Sequence, residues 1–188
     1  MSCVNINKIT KNGEYLMEEL HSKQINFFDE NEQYIYLRKA ELEDQDFLFQ
    51  VFLECRPDLQ WIVDIGVEQQ EMMLRQQFEI ESHQILQNYP NAEQSIIICN
   101  NIPVGRLSVH SSENYIRILE IGLIESYRRQ GIGSELLNNI KKVALEKGKT
   151  IQLQVAWFNE SAYNFYIKNG FCLKENLGFA CEMNYKGK

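Results

Sequence analysis

Apolar residues recur along this chain at two spacings. Alternating or short continuous apolar runs mark strands, and three- and four-residue spacing marks helices. Strand patterns fall at 34–38, 95–99, 103–110, 115–124, 150–156, 171–174 and 179–185. Helical patterns fall at 44–55, 68–89, 131–147 and 159–169. In the first, Phe47, Leu48, Val51 and Phe52 share a face; in the third, Leu136, Leu137, Ile140 and Ala144 do. Pro90 ends the second, Gly148 suits the residue after the third, and Gly170 stops the fourth. Asn100-Asn101 is the turn of a hairpin. The order β–α–α–β–β–β–α–β–α–β–β predicts an α/β (α+β) chain. Its mixed central sheet has about seven strands flanked by helices, with a right-handed crossover through the third helix. Residues 1–32 are polar and irregular, so they are expected to be an N-terminal extension, flexible or loosely packed, ahead of one domain at 33–188.

Composition narrows the function classes. A chain of 188 residues, 44% hydrophobic and 24% charged, suits one globular domain. A net charge of -7 and a pI near 5.1 disfavour nonspecific nucleic-acid binding. The five cysteines, Cys3, Cys55, Cys99, Cys172 and Cys181, are scattered and never spaced Cys-x-x-Cys. No metal site or disulfide framework is expected, and the cytoplasm is the simplest compartment. No apolar signal core opens the chain, and no run approaches the roughly 18 apolar residues of a membrane span.

The chemistry concentrates at 123–137, Leu-Ile-Glu-Ser-Tyr-Arg-Arg-Gln-Gly-Ile-Gly-Ser-Glu-Leu-Leu. A strand runs into a polar turn, then two glycines, then an amphipathic helix. Such a loop aims backbone N–H groups and a helix N-terminus at one point, which suits a phosphate. A Walker loop needs Lys after its last glycine, but Ser134 follows Gly133. A dinucleotide fingerprint needs a third glycine where Leu136 stands. What remains is Arg128-x-x-Gly131-x-Gly133, which resembles the acyl-CoA pyrophosphate loop of the GNAT (general amine N-acetyltransferase) superfamily. Residues 159–171, with Asn159, Ala162, Phe165, Tyr166, Gly170 and Phe171, resemble that superfamily's Asn-x-x-Ala-x-x-Leu/Phe-Tyr-x-x-x-Gly-Phe segment. The two motifs are one helix and one strand apart, and the resemblance spans roughly 34–185.

The resemblance implies an N-acetyltransferase that moves an acetyl group from acetyl-CoA to a primary amine by direct transfer in a ternary complex. No metal is implied. The alternative is a GNAT-fold acyl-CoA-binding sensor or partner module without catalysis. N–H groups from Arg129 through Gln130, Gly131, Ile132, Gly133 and Ser134 would grip the pyrophosphate, with Arg128 adding charge. The pantetheine arm would pair with the strand at Ile121 and Leu123, and the Leu123 N–H would face the thioester oxygen. Tyr166 is the candidate general acid, although it also lies on an inward helix face with Ala162 and Phe165. Asn159 is either the N-cap of that helix or a pantetheine ligand, or both. Glu120 is the candidate base, its alternative being a structural pair with Arg106 or Arg117. His110, a strand-end histidine expected to be exposed, is a weaker base. Cys99 and Cys172 look buried and inert.

The acceptor amine, a small molecule or peptide, is expected against the 58–66 loop and the long helix after it. Trp61, Asp64, Arg75 and Gln77 are the candidates there, an aromatic and a carboxylate suiting a cation. Trp61, Ile62 and Ile65 equally suit a cover for the sheet edge. No nucleic-acid or membrane partner is expected. The last two strands offer a route to a homodimer.

Overall fold

In a computed structural model the structure describes residues 27–28, 34–56, 58–59 and 66–187. The elements are β1 (Phe27–Phe28), β2 (Tyr34–Lys39), α1 (Gln45–Cys55), α2 (Val67–Asn88), β3 (Glu93–Cys99), β4 (Ile102–Ser111) and β5 (Tyr115–Leu123). They continue with α3 (Ile132–Glu146), β6 (Thr150–Ala156), α4 (Glu160–Lys168), β7 (Cys172–Asn176) and β8 (Ala180–Tyr185). One sheet carries all the strands in the order β1-β2-β3-β4-β5-β6-β8-β7. Seven of them match the predicted strands. The additional one is the two-residue β1, which pairs antiparallel with β2, so the sheet starts inside the segment assigned to the extension. Among the described residues, no helix is long and apolar enough to cross a membrane.

Strand alternation sorts the core onto two faces. Ile96 and Ile98 join Leu48, Phe49, Phe52 and Phe78 under α1 and α2. Ile97, between them, joins Val104, Leu107, Ile116, Ile118 and the α3 residues Ile132, Leu136, Leu137, Ile140 and Ala144. The predicted inward face of α3 is therefore buried. Asn100 and Asn101 take φ of 49° and 65°, the left-handed pair a two-residue hairpin turn requires. Lys149 N donates to the Ala144 carbonyl, closing α3 around the left-handed Gly148.

Two irregularities position the site. The sheet is antiparallel except where β5 meets β6, joined through α3, and that pairing covers only Tyr115↔Thr150 to Ile118↔Leu153. The β4–β5 register also shifts there: Ser108 pairs with Glu120 and Val109 with Ile118, which leaves Leu119 as an extra residue. With regular pairing through Leu119, the alternation that sends Ile116 and Ile118 into the α3–α4 core would send Glu120 there as well.

Candidate active site

Beyond Ile118 the two parallel strands diverge. Gln154 to Ala156 of β6 pair with β8, and among the described residues no strand covers Leu119 to Leu123 on the β6 side. Ile124 N donates to the Val104 carbonyl at 2.9 Å, so residue 124 directs its backbone groups at β4. In extended chain the next residues alternate, which turns the N–H and C=O of Leu123 and Ile121 into the gap. A strand-like ligand inserted there finds a ready backbone edge.

The gap opens beside the Arg128–Ser134 loop. A 3₁₀ turn at Glu125–Tyr127 leads into it, Arg129 takes φ 61° and Gly131 φ 89°. Consecutive turns of opposite hand gather N–H groups into a concave nest. A non-glycine residue held left-handed costs on the order of 1 kcal/mol. α3 starts at Ile132 with Gly131 as N-cap, so no side chain caps it. Among the described residues, the N–H groups of Ile132, Gly133 and Ser134 make no hydrogen bond. Their dipoles favour an anion at this end. A Cβ on Gly131 would meet nothing within 4 Å, whereas one on Gly133 would lie 3.1 Å from Phe165 Cζ. The nest, its uncapped donors and the open space before it fit a pyrophosphate.

The side chains around the loop mostly hold it together. Gln130 Nε2 donates to the Ser126 carbonyl at 2.7 Å, and Ser134 Oγ accepts from Asn169 Nδ2 at 3.3 Å. Arg128 Nε donates to the Leu123 carbonyl at 2.8 Å and its Nη2 to the Glu54 carbonyl at 2.7 Å. The Arg128 charge thus points back into the protein, while Arg129 is exposed.

α4 supplies the wall opposite β5. Asn159 caps it, its Oδ1 accepting from Ala162 N at 3.0 Å. Tyr166 is buried among Phe165 and Phe171, with ring centroids at 5.3 and 5.5 Å. Burial, and then the nearby Cys55, push its phenol well above the usual tyrosine range. It stays protonated through the physiological range, as a proton donor must.

On the α1–α2 side, Glu120 Oε1 lies 2.7 Å from Arg106 Nη2. The Arg106 guanidinium stacks on Phe52 and Phe78, 5.7 and 5.9 Å from their centroids. Burial raises the Glu120 pKa, the Arg106 charge opposes that, and Glu81 adds to it. The structural pair is made with Arg106, and burial holds the Glu120 proton more tightly than usual. Gln77 and Arg56 donate to Glu81 Oε1 at 2.8 and 2.5 Å, so Gln77 acts on this cluster through Glu81.

Other predicted positions fall elsewhere. Arg75 pairs with Asp46 and Glu71 and covers the Phe49 ring at 4.4 Å, so it latches α2 to α1 at the surface. Trp61 and Asp64 lie outside the described residues. His110 is not an exposed strand end: it sits between Tyr89 and Tyr115, and its Nδ1 is buried without a partner among the described residues. It pairs with Arg117, at the opposite end of β5 from Leu123. Burial and the charges of Arg117 and Lys149 lower its pKa. Cys99 is buried, but Cys172 is exposed, because all of β7 lies on the sheet edge.

The residue that sequence reasoning missed is Cys55. It ends α1 with Sγ 3.9 Å from the Leu123 carbonyl and 3.8 Å from Arg128 Nη2. Burial raises its pKa against the Arg128 and Arg106 charges. The available signals were the Leu48–Val51–Phe52–Cys55 stripe and a glycine at 122, but neither reveals that the two meet.

Residues 13–171 match the model of the acetyltransferase (GNAT) family. The chain belongs to that family. It is 40% identical over 78 residues to N-alpha-acetyltransferase 50 of Danio rerio, across 38% of this chain and 46% of that protein. The chain thus spans about half the length of this curated relative. Many solved structures share its fold, among them the following two. PaiA N-acetyltransferase from Thermoplasma acidophilum, in complex with coenzyme A, aligns with TM-score 0.61 and 24% identity over 81% of this chain and 99% of that one. Arabidopsis thaliana Naa50, in complex with the bisubstrate analogue CoA-Ac-MVNAL, aligns with TM-score 0.53 and 19% identity over 82% and 99%.

Proposed function

We propose that this protein is an acetyl-CoA-dependent N-acetyltransferase whose acceptor is the free α-amine of a peptide. The observation that carries this is the gap between β5 and β6, with the Leu123 backbone facing into it beside the uncapped start of α3. Acetyl-CoA supplies the acetyl group as a thioester, already activated for attack. Ile121 and Leu123 bind the pantetheine arm along the β5 edge, and Asn159 faces it from the start of α4. N–H groups from Arg129 to Ser134 hold the pyrophosphate. The Leu123 N–H holds the carbonyl oxygen as negative charge builds on it, a contribution of about 3 kcal/mol for such a donor.

Glu120 takes the ammonium proton, so the neutral amine attacks the carbonyl carbon. Its raised pKa makes it a better base than an ordinary carboxylate. As the C–S bond breaks, the Tyr166 hydroxyl donates its proton to the departing sulfur, and the proton that the new amide nitrogen sheds returns through solvent to the phenolate. Glu120 lies on the α1–α2 face of the sheet and Tyr166 on the α3–α4 face. Donor and acceptor therefore enter from different sides, which supports direct transfer without an acyl-enzyme step. A cleft of about 260 Å³ lined by Leu53, Glu54, Arg56, Leu59, Gln70 and Leu74 offers space for the acceptor's first side chain. The similarity to N-alpha-acetyltransferase 50 supports the peptide class.

The test is thiol release from acetyl-CoA against three acceptor sets: peptides beginning with a free Met, the same peptides N-terminally blocked but carrying lysine, and polyamines. Turnover confined to the free α-amines, with intersecting initial-velocity plots, is the expected result. Turnover confined to lysine or polyamines would overturn the peptide assignment. Coenzyme A binding without any turnover would favour the non-catalytic binding module.

A further inference from the structure

Arg128 opens the glycine loop, yet its guanidinium does not face the phosphate nest. It is half-buried, whereas its neighbour Arg129, held left-handed, is exposed. Arg128 reaches two carbonyls on different elements, Leu123 at the end of β5 and Glu54 in the last turn of α1. The Glu54 carbonyl is one of the helix-terminal acceptors that lack an intrahelical donor, and a cation is favoured there. Glu54 closes the ring from the other side, its Oε2 accepting from Glu125 N at 2.6 Å. Two carbonyls from different elements suit the fixed fork of guanidinium donors, and an ammonium cannot reproduce the span.

The peptide between Leu123 and Ile124 is thereby held at both ends, its C=O by Arg128 and its N–H by Val104. The Leu123 N–H points into the same gap as the captured carbonyl. With the carbonyl occupied, the N–H is the group that this residue offers a ligand. We infer that Arg128 is a positioning residue for transfer, fixing the Leu123 peptide and the end of α1, and not a ligand of the cofactor's phosphates. This rests on the acetyltransferase reading above.

Two donors separate the roles: acetyl-CoA, and S-acetyl-pantetheine, which lacks the pyrophosphate and the nucleotide. Loss of Arg128's hold lets Leu123 shift, and a misplacement near 1 Å costs about 10²-fold. Arg128→Met is expected to lower kcat by about tenfold to a hundredfold, by the same factor with both donors. A loss seen only with acetyl-CoA, expressed as a raised KM, would overturn the inference. Arg128→Lys keeps the charge and is the milder change. It is expected to lose kcat as well, and full activity in this variant would equally overturn the inference. Calorimetric binding of coenzyme A at several salt concentrations needs no turnover. An unchanged salt slope in Arg128→Lys and Arg128→Met supports positioning, and a shallower slope in Arg128→Met identifies a phosphate contact. Wild-type protein that binds coenzyme A but turns over neither donor refutes the acetyltransferase reading, and the slopes still decide Arg128.

Discussion

Gly122→Ala probes the contact on which the candidate site is built. A Cβ at 122 would stand 2.7 Å from Cys55 Sγ and 3.3 Å from Val51 Cγ1. Ordinary carbon contacts begin near 3.5 Å, so the sulfur would have to retreat by nearly 1 Å. It has little room, with the Leu123 carbonyl and Arg128 Nη2 both within 4 Å. Overpacking of this kind costs about 1–3 kcal/mol. At about 2–4 °C per kcal/mol for a domain of this size, a cost near 2 kcal/mol lowers Tm by about 4–8 °C. Cys55→Ala removes the sulfur and leaves only the Val51 contact tight. In that background Gly122→Ala should cost under about 1 kcal/mol, a coupling of about 1–2 kcal/mol. Thermal and urea unfolding of the four proteins measure the cycle. kcat should fall in Gly122→Ala and recover in the double variant, because the same retreat moves the Glu54 carbonyl that Arg128 holds. Equal cost of Gly122→Ala in both backgrounds would refute the packing of Cys55 on α1 against Gly122 of β5.

Tyr166→Phe should lower kcat by about 10²-fold while coenzyme A affinity stays nearly intact, since the ring packing is kept and only the hydroxyl is lost. Equal turnover in a steady-state assay removes Tyr166 as the acid. Glu120 should give kcat/KM an acid limb above the ordinary carboxylate range, with activity rising as pH climbs through its raised pKa. Folding favours its protonated form, so the stability that form contributes is present below pH 4.5 and lost as pH rises through the folded-state pKa. Glu120→Gln should abolish the limb; an unaltered pH–rate profile would point to another base.

The loop at 128–134 and the segment from Asn159 to Tyr166 were legible because glycine spacing and helix periodicity are local properties. Asn159 as a cap, the inward face of α3 and the Asn100-Asn101 turn follow from the same local chemistry. Arg128 was legible as a charge but not in its direction. The Glu54 carbonyl it holds lies 74 residues away in the chain. Arg75, equally plausible from sequence, was claimed by Asp46 and Glu71 once α2 lay against α1.

The sequence by itself determined the alternation of strands and helices, the family and the glycine turn that opens α3, because each depends on residues close together along the chain. The tertiary structure alone decided what surrounds that turn. The extra residue at Leu119 sends Glu120 to the α1–α2 face, and the end of β5–β6 pairing at Ile118 bares the edge on which Leu123 lies. Register is a property of two strands together, and a shift of one residue exchanges the faces of every side chain beyond it. No single strand's pattern records that exchange, which is why the cleft appears only when β4, β5 and β6 are assembled.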